Sequence, residues 1–194
     1  MTDITQNANA TGGSGPAHER TERPAARSDE SRDALISCIE LFFFAYRDFT
    51  GEPDAVLAEF GFGRAHHRVL HFVQRNPGIR VADLLEILKI TKQSLARVLK
   101  QLVDEGFIAQ RAGAEDRRER RLRVTTKGAR LVERLTQLQM KRVEAALAKA
   151  GPGAEDAARH FLLAMIADKN QAQVKSLIKH GAAQPDPAQE ECAS

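Results

Sequence analysis

The 194-residue chain has little cysteine. Its two residues, Cys38 and Cys192, stand far apart and outside any metal-ligand spacing. No disulfide framework and no zinc site follow from them. The chain also lacks an apolar run near the roughly 18 residues of a membrane span, and lacks an N-terminal apolar stretch of the secretory type. The expectation is a soluble cytoplasmic protein with no membrane partner. Sets that would carry catalysis are missing as well. "GFGRAHH" (61–67) holds a Gly-x-Gly, but without a third glycine or a preceding strand pattern it reads as a loop. Acidic residues are scattered on helix surfaces, with no nucleophile–base set and no metal cluster. An enzyme is not expected, nor a cofactor or a bound metal. No internal repeat is visible.

What is present is a core and a charge asymmetry. Hydrophobic residues make up 42% of the chain, enough for one compact domain. Residues 1–28 and 182–194 are rich in small, polar and charged residues and read as disordered tails. Between them the pattern is mainly α. "SRDALISCIELFFFAYRDF" (31–49) places Leu35, Ile39, Phe42, Phe43 and Tyr46 at helical spacing, while Leu41 and Phe44 add apolar surface on another side. A terminal helix apolar on more than one side calls for burial beyond its own small domain, so it reads as a dimerisation helix. "TGEPDA" is expected to break it, with "DAVLAEFG" a short helix after the break. A helix over 64–75 ends at Asn76-Pro77-Gly78, a strong turn signal.

Two short helices follow. Residues 80–89 carry Val81, Leu84, Leu85 and Leu88 as an apolar stripe. Residues 90–106 place Leu95, Val98, Leu99, Leu102 and Val103 inward, with Thr91 as N-cap and Gly106 just past the C-terminus. Phe107-Ile108 and Leu122, Val124 then read as a hairpin with the tip "AGAEDRRE". Thr126 is expected to cap a helix over 127–149, Gly151-Pro152-Gly153 to break it, and a last helix to run over about 154–180.

The order short helix, tight turn, second helix, basic hairpin is that of a winged helix-turn-helix, here over 64–126. Residues 80–130 hold thirteen Lys/Arg against seven Asp/Glu, a balance of +6 in a chain of net +3. Such a concentration suggests a polyanion-facing module. A helix fits the major groove of DNA if its first turns present polar side chains. Thr91, Lys92, Gln93, Ser94 and Arg97 are those side chains, with Lys100 one turn on as a phosphate contact. Arg111, Arg117, Arg118, Arg120 and Arg121 would bring the hairpin to phosphates and a minor groove. Two copies on a two-fold axis would read a pseudo-palindromic double-stranded DNA site, because one such module reads only a few base pairs.

The stretch "VADLLEILKITKQSLARVLKQLVDEGFIAQRAGAEDRRERRLRVTTKGARL" resembles the winged helix-turn-helix of the multiple-antibiotic-resistance regulator (MarR) family. The likeness runs from roughly 33 to 180 in element order and is most specific over 81–131. Asp116 and Arg118 match the Asp-x-Arg of the family's wing, followed by the matching Val-Thr-Thr-Lys-Gly. The resemblance implies that Arg118 enters the minor groove and that Asp116 orients it. It also implies a homodimer with interlocking first and last helices (31–49 and 127–180). It further implies a repressor that leaves DNA when a small molecule or oxidant arrives.

Three histidines, His66, His67 and His71, lie on one helix, with His67 and His71 one turn apart. They can be packed imidazoles, polar groups of an effector pocket, or metal ligands lacking an evident third partner. The resemblance places this helix beside a pocket for a small anionic or aromatic effector, to which Arg64, Phe43 and Tyr46 would contribute. Cys38 sits near the position of the reactive cysteine in peroxide-sensing family members, but the chain has a single tyrosine, Tyr46, and lacks their partner set. A packed small residue and a redox sensor are the two readings of Cys38. A non-specific DNA architectural protein and a helical partner-binding scaffold stand as alternatives to a sequence-reading regulator.

Overall fold

The computed structural model describes residues 29–113 and 119–182, with side chains through 178. Residues 1–28, 114–118 and 183–194, where the sequence places the two tails and the hairpin tip, lie outside them. The chain divides into two compact units, one ending at Leu41 and the other starting at Phe42. In the first, the described residues are the opening turns of helix α1 (Asp29–Ala58), with Leu35, Ile36, Ile39 and Leu41 exposed and Cys38 half-buried.

The expected break at "TGEPDA" does not occur. Helix α1 continues through Gly51 and Pro53 to Ala58. Proline inside a helix costs about 3 kcal/mol, because the carbonyl four residues back loses its donor. Pro53, Val56 and Leu57 are all buried, and that burial offsets the cost. Ion pairs from Glu52 to Arg142 at 2.6 Å and from Glu59 to both Nη atoms of Arg134 at 2.8 and 2.9 Å tie this end to the long helix α5 (Thr126–Ala150).

The core of the second unit is built by α2 (Arg64–Arg75), α3 (Val81–Leu88), α4 (Lys92–Asp104) and the start of α5 (Thr126–Ala150). Val69, Leu70 and Val73 of α2 meet Leu84 of α3, Leu95 and Leu102 of α4, and Leu131 and Leu135 of α5. A three-stranded antiparallel sheet closes one side, in the order β1 (Ile79–Arg80), β3 (Arg120–Val124), β2 (Ile108–Ala112). The β2–β3 hairpin lies where the sequence puts it. Strand β1 has only two residues, too few for any alternation to show.

Two helix boundaries also differ from expectation. Thr125, not Thr126, caps α5: its hydroxyl accepts from the Gly128 N–H at 3.1 Å and donates to the Gly106 carbonyl at 2.7 Å. The last helix is two, α6 (Ala154–Met165) and α7 (Asp168–Ala182). Ile166 turns extended without glycine or proline. Its freed carbonyl accepts from Gln171 Nε2 at 3.0 Å, while Ala167 O accepts from Asn170 N at 2.8 Å. Local hydrogen bonds of that kind leave no period-level signal in sequence.

Helix α5 crosses Phe107 at backbone contact. A Cβ built on Gly128 would stand 2.1 Å from the Phe107 carbonyl oxygen. Alanine normally stabilises a helix interior relative to glycine by roughly 0.5–1 kcal/mol. Here the sign should reverse, because the obstacle is backbone. Gly128→Ala is expected to lose about 1–3 kcal/mol, the usual cost of overpacking. A denaturant melt giving unchanged or raised stability would show that α5 can slide off Phe107 freely.

Candidate nucleic-acid interface

Helix α3 ends at Lys89, which takes the left-handed conformation (φ 51°) and donates its N–H to the Leu85 carbonyl at 3.0 Å. That single reversed residue makes the turn into α4 tight. Thr91 then caps α4 as expected: its Oγ1 accepts from the Ser94 N–H at 3.1 Å and its hydroxyl donates to Ser94 Oγ at 2.9 Å. Leu95, Val98, Leu99 and Leu102 turn into the core. The burial pattern leaves Lys92, Gln93, Ser94, Arg97 and Lys100 on the exposed face.

These side chains are not equivalent. The Thr91 and Ser94 hydroxyls are engaged with each other, so their first role is to hold the helix start. Lys100 pairs with Asp104 one turn on, so it is not a free cation. Among the described residues, Lys92, Gln93 and Arg97 are left with open hydrogen-bonding capacity, one turn of helix presented to solvent.

The sheet adds a feature that depends on register. Arg80 of β1 faces Arg121 of β3, and Arg121 faces Arg111 of β2. Cross-strand partners point to the same side of a sheet, so three guanidinium groups form one row. Leu122 between Arg121 and Arg123 is buried, which puts both of those arginines on the outer face. Like charges directly opposite repel. Glu119 relieves part of the strain, with Oε1 at 3.3 Å from Arg80 and Oε2 at 3.1 Å from Arg121. Asp83 takes the rest of Arg80, at 2.8 and 2.6 Å, and the guanidinium holds the Asp83 carboxyl below the ordinary carboxylate range. Arg111 and Arg123 have no carboxylate among the described residues.

Arg120 lies on the other face, opposite Ala112. With Lys100 and Gln110 it borders a groove of about 710 Å³ between α3, α4 and the sheet. Asp116, Arg117 and Arg118 fall outside the described residues. Sequence reasoning missed Arg80 and Glu119, because their roles come from strand pairing rather than from a motif.

The other predicted site, around α2, is brought together only in part. Arg64 donates to Asp54 Oδ2 at 2.8 Å and lies over the Tyr46 ring, 5.2 Å from its centroid. Phe43 is 68% exposed. His66 is held at both ring nitrogens: its Nδ1 accepts from the Gly63 N–H at 3.1 Å, so Nε2 carries the proton and donates to Gln101 Oε1 at 2.9 Å. Its ring also stacks on Phe62 at 4.8 Å. His71 borders a cleft between α2, α3 and α7. Among the described residues, no group of three His, Cys, Asp or Glu side chains could hold a metal, and no helix is long and apolar enough to cross a membrane.

Burial lowers the pKa of both His67 and His71. Asp54 partly opposes this at His67; at His71 the neighbouring His67 and Arg75 add to it. A histidine whose folded pKa is depressed stabilises the fold above its unfolded value of about 6.5. That contribution is lost as pH falls through the folded pKa, because the unfolded chain then binds more protons. The melting temperature should therefore drop as pH is lowered below about 6.5, and His67→Gln with His71→Gln should flatten that drop. Melts of both proteins across this range check it; equal slopes would assign the acid sensitivity to other groups.

With the geometry in place, known proteins give the comparison. A family model described as MarR family matches residues 60–119. The HTH-type transcriptional regulator PetP of Rhodobacter capsulatus is 48% identical over 134 residues, covering 69% of this chain and 81% of that protein. A mutant MarR from E. coli, solved in complex with operator DNA, aligns with a TM-score of 0.52 and 23% identity, over 68% of this chain and 94% of its own. YusO of Bacillus subtilis aligns with a TM-score of 0.52 and 21% identity, over 70% and 98%. At those identities the solved structures speak for the winged helix-turn-helix fold, and the PetP match speaks for kinship. The chain belongs to the MarR family and is a transcriptional regulator of that family.

Proposed function

We propose that this regulator is a homodimeric repressor that reads a pseudo-palindromic double-stranded DNA site and leaves it when a small-molecule effector binds. The observation that carries the DNA reading is the exposed polar turn of α4 beside the Arg80–Arg121–Arg111 row. Lys92, Gln93 and Arg97 have the reach and open donors to read base edges. Thr91 and Ser94 set the helix start from which they read. Arg111, Arg120 and Arg121 supply phosphate contacts, with Lys100 as a weaker one. The structure of an E. coli MarR mutant on operator DNA gives the same fold a DNA partner in that protein.

Exposed apolar surface supports the dimer. In the first unit it is Leu35, Ile36, Ile39 and Leu41; in the second it includes Phe43, Phe44, Met140, Val143, Phe161, Leu162 and Met165. Large apolar side chains in such number mark an interface. Arg64 with Tyr46, and the half-buried His67 and His71, support an effector that is anionic or aromatic.

An architectural, sequence-blind binder would use the same arginine row, and DNA titrations separate the two. Each phosphate neutralised should add about −0.9 to the log–log salt slope. Gln93→Ala and Arg97→Ala should each cost about 1–3 kcal/mol on the specific site and little on random DNA. Arg111→Ala should weaken both alike and reduce the slope by about one. Equal affinity of the unmodified protein for random DNA and for its own upstream DNA would overturn specific reading.

Asp116 and Arg118 allow a test of sign. On the family resemblance, Arg118→Ala should cost about 1–3 kcal/mol of specific binding. Asp116→Ala should cost part of that, although it removes a charge that repels DNA, because the pair preorganises the guanidinium. Tighter binding by Asp116→Ala, measured at one fixed salt concentration, would reduce the hairpin tip to a plain phosphate-attracting patch.

A further inference from the structure

Helix α7 returns the chain toward the start of the sheet. Ile178, near its C-terminal end, and Asn76, which caps the end of α2, border one cleft. Asn76 lies four residues before Arg80 of β1, and four residues span at most about 14 Å. From Ala182, the last residue of α7, eight residues lead to Glu190, a reach of up to about 28 Å, twice that distance. Residues 183–194 carry Asp186, Glu190 and Glu191 and neither lysine nor arginine. A purely acidic segment is therefore tethered within reach of the Arg80–Arg121–Arg111 row.

The row is short of anions. Neighbouring strands lie about 4.8 Å apart, so the three facing guanidinium groups spread over roughly 10 Å. Arg123 continues the same face along β3. Glu119 is shared between Arg80 and Arg121, and Arg111 and Arg123 have no carboxylate among the described residues. An extended run from Asp186 to Glu190 spans up to about 14 Å, so its carboxylates match the row in length as well as in sign. A short tether holds its segment at an effective concentration in the millimolar range. A contact too weak to persist between separate molecules is then occupied within one.

We propose that the acidic segment 184–191 of this chain docks on the outer face of the sheet, its carboxylates at Arg80, Arg121, Arg111 and Arg123, in the place that phosphates of DNA would take. It is a built-in competitor: the segment must leave before the row meets a polyanion. Its effect on DNA rests on the DNA reading above; the docking stands by itself.

The experiment uses the full chain with Cys38→Ser, so that a nitroxide attaches at Cys192, next to Glu191. In the free protein at low salt, the label should broaden the backbone amide signals of Arg80, Arg111 and Arg121 by paramagnetic relaxation. Salt at about 1 M, which screens charges beyond about 3 Å, should remove the broadening. Asp186→Asn with Glu190→Gln and Glu191→Gln should remove it too, as should Arg111→Gln with Arg121→Gln. Circular dichroism melts check that the arginine variant is folded; if it is not, the variant of the acidic segment, which leaves the sheet untouched, decides alone. On random duplex DNA at low salt, that acidic-segment variant should bind about three- to tenfold tighter than the unmodified chain, an advantage that shrinks as salt rises. Sharp arginine signals in the free protein, or broadening that survives neutralisation of the segment, overturns the docking. A nitroxide chain mixed with an isotope-labelled chain carrying Cys192→Ser should leave the labelled arginines sharp; broadening there moves the segment onto a second copy and overturns docking within the chain. Docking whose loss leaves DNA affinity unchanged upholds the contact and overturns the row as a phosphate site instead.

Discussion

Phe107 is the joint on which the rest of the molecule depends. It is 1% exposed and follows Gly106, whose positive φ of 76° ends α4. Its N–H returns to the Leu102 carbonyl at 2.8 Å, and its carbonyl accepts from the Thr125 N–H at 3.0 Å. Phe60 and Phe62 meet its ring edge-on at 5.4 and 5.0 Å, and the Lys127 ammonium lies 4.1 Å from the ring centroid. One residue thus fixes the exit of α4, the root of the hairpin and the entry of α5. The bare backbone of Gly128 is what lets α5 come close enough to complete the arrangement.

Around that joint the molecule separates two physical tasks. Inside, leucine and valine from α2, α3, α4 and α5 make a core whose buried cluster, among the described residues, is hydrophobic throughout. Outside, the sheet sets arginines against each other, an arrangement that packing must sustain because electrostatics opposes it. Buried Leu122 anchors the strand whose neighbours in sequence, Arg121 and Arg123, face outward. Alternation along five residues is what converts core packing into a presented row of charge. The same division holds in α4, where four buried aliphatic residues orient the polar turn.

Much of this was legible in the sequence where the signal was local and periodic. The leucine stripes of α3 and α4, the Thr91 cap and the hairpin arms follow from spacing alone, while the likeness to the family rests on the residues of 81–131 themselves. Legibility failed where tertiary contact overrode local propensity. Gly51 and Pro53 look like a break, but burial of Pro53 and Leu57 carries α1 through them. Ile166 and Ala167 look like helix, but side-chain and backbone donors from Gln171 and Asn170 stabilise a turn there. The arginine row could not be read, because Arg80 lies forty-one residues from Arg121 and its strand is two residues long. His66 shows the same limit: its partner Gln101 is on another helix, so nothing in "HHRVLH" marks that contact.

The arginine row has a consequence for how ions act on this protein. Mobile anions gather where guanidinium groups are crowded, and in the free protein they relieve the repulsion between Arg80, Arg121 and Arg111 that Glu119 only partly cancels. Phosphates would do the same work in a complex, and dissolved salt competes with them for the place. Ionic strength therefore acts on the two states in opposite directions, firming the unbound sheet while loosening its hold on a polyanion. A bound nucleic acid, seen from the sheet, is a set of counterions fixed in register.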